Sequence, residues 1–211
     1  LEIIFLSLKI SFFSLLSSCI FGLPLGALLA VTKFTGRKLL IIFFNSMMGL
    51  PPVFVGLVLY IILSVSGPLG YLQLLYTPAA MIIAQFCLIT PIVVSLTRQV
   101  LEQISVEYDE LLKSLQANAK DRISTILWDS RYSLLTCVLA GLGRSLSEVG
   151  AIIIVGGNIA HATRVMTTTI ETSRGNLEIA VSLGFILIFI SITINLLVSI
   201  VQELSEKYSY D

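Results

Sequence analysis

The longest stretch without a charged side chain decides what this chain can fold into. The 59 residues from Leu39 to Thr97 contain no Asp, Glu, Lys, Arg or His. A helix needs about 20 apolar residues to cross a bilayer, so this stretch is long enough for two crossings and a turn. Of all residues, 56% are hydrophobic and 12% are charged, whereas soluble domains carry about 25% charge. The sequence therefore predicts an all-α polytopic membrane protein.

Five membrane spans are predicted from the apolar stretches and the helix breakers. The long stretch divides at the Ser66–Gly70 cluster, because Gly and Pro interrupt helices. The Pro51-Pro52 pair is expected to break the second span. We expect one transmembrane domain over residues 1–211, with a cytoplasmic segment at 98–131 and an outer loop at 157–177. The five predicted spans are Ile10–Thr32, Leu39–Leu63, Pro78–Thr97, Tyr132–Ile159 and Ile179–Gln202.

Basic residues predict the side on which each loop lies, because cytoplasmic loops are enriched in Lys and Arg. The more basic side should be cytoplasmic, which places the N-terminus outside and the C-terminus inside. The other side carries only Lys9, Arg164 and Arg174. The nine basic residues of the predicted cytoplasmic side are Lys33, Arg37, Lys38, Arg98, Lys113, Lys120, Arg122, Arg131 and Lys207.

Composition also argues against several classes of function. The 13 basic and 13 acidic residues cancel, so the chain has no overall basic footprint for nucleic acid. His161 is the single histidine, and the three cysteines lack CxxC spacing. We therefore expect no catalytic residue, no metal site and no cofactor bound by this chain. It also lacks the G-x-x-x-x-G-K-[ST] loop of an ATPase.

The cytoplasmic segment is predicted to contain an amphipathic helix over Tyr108–Ala119. Its apolar face either covers the ends of the bundle or docks into a groove on a soluble partner, and the pattern leaves both explanations open. The opposite face carries Asp109, Glu110, Lys113 and Asp121. The apolar residues recur at helical spacing: Tyr108, Leu111, Leu112, Leu115 and Ala119.

This helix resembles the EAA loop of ABC importer permeases, whose pattern is E-A-A-x-x-x-G followed after nine residues by I-x-L-P. Glu110-Leu111-Leu112 stands in the E-A-A place and Ile126 in the isoleucine place, whereas Gln116 replaces the glycine and Trp128-Asp129 replaces Leu-Pro. The resemblance implies contact with an ATPase through Asp109, Glu110, Leu111, Leu112, Lys113, Leu115, Gln116 and Ala117.

A second resemblance lies downstream, in the motifs G-R-S-L-S-E-V-G-A from Gly143, V-G-G-N-I from Val155, T-R-V-M-T-T from Thr163 and E-T-S-R-G from Glu171. These are similar to the molybdate/tungstate branch of ABC permeases, and G-G-N-I and T-R-V-M-T-T favour tungstate. The resemblance covers about Phe5 to Val201.

The resemblance implies the type I ABC importer permease fold in a prokaryotic cell membrane. It also implies a homodimer, two cytoplasmic ATPase subunits that bind ATP and Mg, and an extracytoplasmic oxyanion-binding protein. The implied function is import of an oxyanion, with tungstate favoured, by alternating access. The alternatives are a permease for molybdate or sulfate and a channel or carrier that works without an ATPase.

Arg144 and Glu148 are the two charges inside the fourth predicted span. They are expected at positions i and i+4 of one helix face, where they can pair, because a lone charge in hydrocarbon costs several kcal/mol. The pair either locks this span against its neighbours or acts at a gate or a dimer interface.

Uncharged polar residues in the spans are candidates for the anion pathway, since hydroxyls and amides stabilise an anion without trapping it. Hydroxyls in membrane helices also bond the carbonyl four residues earlier, which leaves a purely structural role open. Pro91 is a candidate for a kink at a gate. The pathway candidates are Thr90, Ser95, Ser145, Ser147 and Asn158.

Overall fold

The computed structural model describes residues 2–173 and 175–209, apart from the side chains of residues 119, 120, 201, 202 and 204–209. Regular structure in these residues is helical, as predicted, with a 3-10 turn at Gly70–Leu72. The α-helices are α1 Glu2–Val31, α2 Arg37–Met48, α3 Pro52–Leu63, α4 Pro78–Glu107, α5 Asp109–Ser114, α6 Ala119–Asp129, α7 Arg131–Ser147, α8 Gly150–Gly156, α9 Met166–Thr172 and α10 Leu177–Ser209.

Three predicted spans are single long helices. α1 and α4 each contain 30 residues, and α10 supplies a span of 24 residues. At 1.5 Å per residue, a 30-residue helix is about 45 Å long, which exceeds the hydrocarbon core of a bilayer. The first, third and fifth spans are thus confirmed, although α1 begins at Glu2 and α4 continues to Glu107.

The other two predicted spans are bent pairs of helices. α2 and α3 meet at 104°, and α7 and α8 meet at 56°. The first bend falls at the predicted Pro51-Pro52 break, where Pro51 is extended and disfavours a helical residue before it. The predicted break of the second span is therefore confirmed, whereas the expectation of one helix through Arg144 and Glu148 in the fourth span is wrong. Five spans are reached only by counting each bent pair as one.

α1 and α4 pack side by side in parallel. Positions along the two helices increase together, from the contact of Ser14 with Ile82 to that of Ser18 with Thr90. Further along, a Cβ on Gly26 would lie 2.7 Å from the Val94 carbonyl oxygen. Glycines spaced four apart allow membrane helices to approach closely. The Gly22-x-x-x-Gly26 sequence is a signal for this contact that the sequence reasoning missed.

α7 completes the centre of the bundle and runs antiparallel to α1. Gly141 lies against Leu15 and Ile89, and Ser145 lies near Ser11. The two bent spans also meet, because a Cβ on Gly56 of α3 would lie 2.9 Å from the Ala151 Cα of α8. These close contacts place both helix breaks against the central core.

Polar contacts at the two ends of the bundle agree with the predicted sidedness. At one end, Arg37 pairs with Glu102, which joins the first link to the 98–131 segment. At the other end, His161 of the outer loop contacts Glu2. The direction of the chain across the membrane stays a prediction. Three of the basic residues counted for it, Arg174 and the side chains of Lys120 and Lys207, lie outside the described part.

Candidate functional site

The segment between α4 and α7 forms two short helices, so the single helix predicted over Tyr108–Ala119 is wrong. α5 ends at Ser114, and the chain turns at Gln116, whose φ is +50°. This left-handed backbone cannot continue an α-helix. α6 then begins at an Asn118 cap, whose Oδ1 accepts a hydrogen bond from the Asp121 N–H at 2.9 Å.

The turn at Gln116 explains the glycine of the family pattern. Glycine has no Cβ and adopts positive φ without steric cost, whereas an L-residue pays about 1–2 kcal/mol. Gln116 occupies the place of that glycine and has a positive φ, the conformation that glycine adopts most readily. Gln116 is therefore the turn-forming position of the segment.

The predicted apolar stripe divides between two directions. Leu112 is buried in a cluster with Leu101 and Ile126, against which Tyr108 and Ala117 pack. By contrast, Leu111 is 55% exposed and Leu115 is 68% exposed. The side chain of Ala119 lies outside the described residues. Leu112 thus covers the end of the bundle, while Leu111 and Leu115 are left facing outward.

Ion pairs fix α5 against α6. The Asp109 carboxylate accepts hydrogen bonds from Lys113 Nζ at 2.7 Å and from an Arg122 guanidinium nitrogen at 2.6 Å. The hydrogen bonds from Lys113 and Arg122 lower the pKa of Asp109. A hydrogen bond to the Asp129 carboxylate raises the pKa of Tyr108. Glu110 is exposed and forms no ion pair within the described part of the chain.

A second group of ion pairs joins this segment to the first two helices. The Arg37 guanidinium donates to the Leu29 carbonyl at 2.6 Å and to Glu102 at 2.9 Å. Arg98 binds the other oxygen of the same Glu102 carboxylate. Arg37 therefore satisfies a carbonyl near the end of α1 and links the start of α2 to α4.

Arg144 and Glu148 pair as predicted, at 3.1 Å, but not on one helix. α7 ends at Ser147 and Glu148 is extended, with ψ 128°. Its carboxylate, only 3% exposed, also accepts from the Ala151 N–H at 3.3 Å. Its backbone carbonyl accepts from the Thr167 hydroxyl at 3.0 Å. Glu148 thus connects α7, α8 and α9 at the bend.

Ser145 is engaged inside the bundle. Its hydroxyl donates to Gln85 Oε1 at 3.1 Å, and Gln85 Nε2 donates to the Ser145 carbonyl at 2.9 Å. Gln85, which is 1% exposed, is absent from the predicted candidates. The sequence feature that indicates Gln85 is a single amide side chain in an otherwise apolar span, where a polar group needs a hydrogen-bond partner.

The other pathway candidates do not converge on one cavity. Thr90 donates to Ser18 at 3.1 Å, so it faces α1. The buried Ser95 hydroxyl has no partner among the described residues. Pro91 lies within an α4 that stays helical on both sides of it. Ser147 is exposed and donates to the Arg144 carbonyl.

Asn158 organises the outer loop. Its φ is +50°, its Oδ1 accepts from Thr168 at 2.9 Å and its Nδ2 donates to Thr172 at 3.1 Å. Both partners lie on α9. Asn158 therefore holds the loop onto a helix that also contacts Glu148, through Thr167.

The sequence of this chain is similar to known transport proteins. Residues 22–208, from within α1 to within α10, match the family described as binding-protein-dependent transport system inner membrane component. The chain is 39% identical over 203 residues to the tungstate uptake system permease protein of Peptoclostridium acidaminophilum, which covers 95% of this chain and 89% of that protein.

Two further relatives are also permease proteins. A probable anion ABC transporter permease protein of Haloferax volcanii is 35% identical over 198 residues, covering 90% of this chain and 85% of that protein. The sulfate transport system permease protein of Salmonella typhimurium is 31% identical over 158 residues, covering 72% of this chain and 57% of that protein.

Proposed function

This chain belongs to the family of binding-protein-dependent transport system inner membrane components, and on that premise we propose that it imports tungstate as one of two identical permease subunits. It is the pore-forming subunit of an ABC importer and crosses the inner membrane several times. ATP is hydrolysed by a separate subunit, and the permease works with that ATPase and a substrate-binding protein.

The proposal that this segment couples the permease to the ATPase rests on the outward-facing leucines of α5. Leu111 and Leu115 lie four positions apart and are exposed, next to an Asp109 carboxylate that is paired with Lys113 and Arg122. Apolar side chains in this position fit a groove on another protein. We assign that groove to the ATPase, which binds ATP and Mg, with Glu110 at the rim of the contact.

Closure of two ATPase subunits would displace α5, and the structure offers a path for that movement. Leu112 packs on Leu101 of α4 and on Ile126 of α6. Asp109 binds Arg122, so α5 and α6 move as one unit. α4 in turn packs against α1, with close contacts at Gly22 and Gly26. A shift of α5 is thereby passed to the centre of the bundle.

The bend between α7 and α8 is the proposed gate. Glu148 holds three helices there through its carboxylate and carbonyl, and Arg144 balances its charge. The Arg144 side chain is 35% exposed, whereas Glu148 is buried. The pair lies at a break between helices, and at such a point two helices can change their angle while the rest of the bundle stays packed. In alternating access, this joint would open towards one side of the membrane at a time.

Tungstate is the proposed substrate because the tungstate permease is similar along nearly the whole chain, whereas the sulfate permease is similar along a shorter part. Molybdate and sulfate remain the competing substrates. Uncharged donors suit a dianion, because they stabilise negative charge without holding it as tightly as a fixed cation. Ser147 and Asn158 would offer theirs by giving up their hydrogen bonds to the Arg144 carbonyl and to Thr172.

Two features of the surface support a homodimer. The apolar span of α10 has no buried residue in its most hydrophobic window. α7 presents Ala140, Gly143 and Ser147 outward, and a Cβ on Gly143 would meet no atom within 4 Å. Small residues allow close approach of membrane helices. We therefore place a second copy against this face of α7.

Co-purification tests the coupling proposal. The ATPase should be recovered with the affinity-tagged chain in about equal amount, and Leu115→Glu should greatly reduce that recovery. Val65→Glu is the matched control, because Val65 is an exposed aliphatic residue in the loop between α3 and α4, away from α5. Full recovery with Leu115→Glu would contradict docking at α5. Transport by this chain alone would instead support the channel or carrier.

A further inference from the structure

A charged cleft opens where α1, α4, α5 and α6 meet, at the end of the bundle that contains the coupling segment. Its charged lining consists of Lys33, Arg37, Glu102, Asp109 and Arg122. Ser105 adds a hydroxyl between the two carboxylates along α4 and α5. The cleft does not include any residue of the gate described above.

Cations outnumber carboxylates in this cleft. Glu102 is shared by Arg37 and Arg98, and Asp109 is shared by Lys113 and Arg122. Each carboxylate therefore forms ion pairs with two basic side chains. Lys33, on the link between α1 and α2, adds a further positive charge and forms no ion pair within the described part of the chain. The lining itself, with three basic residues and two carboxylates, carries an excess of one positive charge.

One donor of this group also lacks an acceptor. The Arg98 Nε is buried and has no hydrogen-bond partner among the described residues. A buried unsatisfied donor costs about 1–3 kcal/mol, and more when it is charged. Arg98 is not among the lining residues, so what an anion with several acceptor oxygens relieves is the unpaired Lys33 and the excess charge of the lining.

From these observations we propose that the cleft binds a tetrahedral oxyanion, such as a phosphate group, between Lys33, Arg37 and Arg122. Two sources share this chemistry: the headgroup of an anionic phospholipid and a free oxyanion of the cytoplasm. A lipid is compatible with the exposed side chains of Phe34 on this link and Leu39 in the first turn of α2. The proposal does not depend on the substrate of the importer.

The anion would connect parts of the chain that move during transport. Lys33 and Arg37 belong to the link between α1 and α2, whereas Arg122 lies on α6 and binds Asp109 of α5. An anion between them holds the coupling segment against the first two helices. The site therefore sets how readily α5 moves, and the anion acts as a regulator that is not itself transported there.

The test measures thermal unfolding of the purified full-length chain in nanodiscs. Three conditions are compared: phosphatidylcholine alone, phosphatidylcholine with phosphatidylglycerol, and phosphatidylcholine with inorganic phosphate in the buffer. The proposal predicts a higher Tm with one of the two anions. Stabilisation by phosphatidylglycerol alone assigns the site to lipid, and stabilisation by phosphate in neutral nanodiscs assigns it to a free anion.

Substitutions at Lys33 and Lys38 distinguish a specific anion site from nonspecific electrostatic attraction of anions to this end of the bundle. Lys33→Gln should weaken the apparent affinity for the stabilising anion by about tenfold, the effect of one charge-assisted contact, and Lys33→Arg should restore it. Lys38→Gln removes the same charge five positions along, outside the cleft lining, and should have little effect. Equal loss from both Gln variants, or no stabilisation by either anion, would overturn the proposal.

Discussion

Arg144 and Glu148 are joined at 3.1 Å across the point where α7 ends, so the ion pair bridges a helix break. Removing Arg144 leaves a carboxylate that is 3% exposed without its counter-charge. Arg144→Met should therefore reduce the free energy of unfolding by about 3 kcal/mol. Chemical denaturation of the purified chain in detergent measures this loss.

The matched variant for this prediction is Arg144→Met combined with Glu148→Gln. The amide keeps an acceptor for the Ala151 N–H but carries no charge. The double variant should recover most of the lost stability. If it is no more stable than Arg144→Met, then unpaired charge is not the source of the loss.

The contact of α1 with α4 is expected to tolerate no side chain at Gly26. An added Cβ would lie 2.7 Å from both the Val94 carbonyl oxygen and the Thr97 Cβ. Gly26→Ala should cost about 1–3 kcal/mol through overpacking. The same change at Gly184 of α10, where a Cβ meets nothing within 4 Å, should be neutral or stabilising because alanine favours helix. Equal effects at both positions would refute the close approach.

Gln116 provides a test of the turn in the coupling segment. Because its φ is +50°, Gln116→Gly should stabilise the chain by up to about 1 kcal/mol. Gln99→Gly, in the interior of α4, should destabilise it by about 1 kcal/mol. The two variants are compared by the same denaturation assay. A destabilising Gln116→Gly would mean that this residue is helical.

The lowered pKa of Asp109 predicts that the stability of the fold depends on pH. Hydrogen bonds from Lys113 and Arg122 lower its pKa in the folded state. The stabilising contribution is therefore complete above the unfolded value, about 3.9, and is lost as pH falls through the folded pKa. Asp109→Asn should destabilise the chain at neutral pH, and the difference from wild type should shrink below about pH 4.

Thermal unfolding in detergent between pH 3 and pH 7 checks this expectation. The double variant Lys113→Gln/Arg122→Gln removes both donors and should also remove most of the effect of Asp109→Asn. An unchanged difference between wild type and Asp109→Asn throughout the pH range would show that the ion pairs do not stabilise the fold.

The positions of the spans could be predicted because hydrophobic length reports directly on crossing a bilayer. Bend angles could not, since Pro51-Pro52 predicts a break but not the 104° that packing of α3 on α8 produces. The turn at Gln116 was missed for a different reason. Helical periodicity from Tyr108 to Leu115 continues up to the turn and contains no information on the backbone conformation that follows.

The interior polar contacts were only partly predictable. Arg144 and Glu148 stand out because charge is rare in a span, and their pairing follows from its cost. Gln85 is a single neutral residue, and its partner Ser145 lies 60 positions away. Only the arrangement of α4 against α7 brings these two together. The outward exposure of Leu111 and Leu115 likewise depends on which face of α5 the bundle covers.

Uptake into proteoliposomes tests the central claim most directly. The liposomes contain this chain with its ATPase, and the binding protein is added outside with labelled tungstate. The account predicts accumulation that requires ATP inside, is abolished by Leu115→Glu, and is competed by unlabelled tungstate more strongly than by sulfate. Accumulation without the ATPase, or equal competition by sulfate, would contradict it.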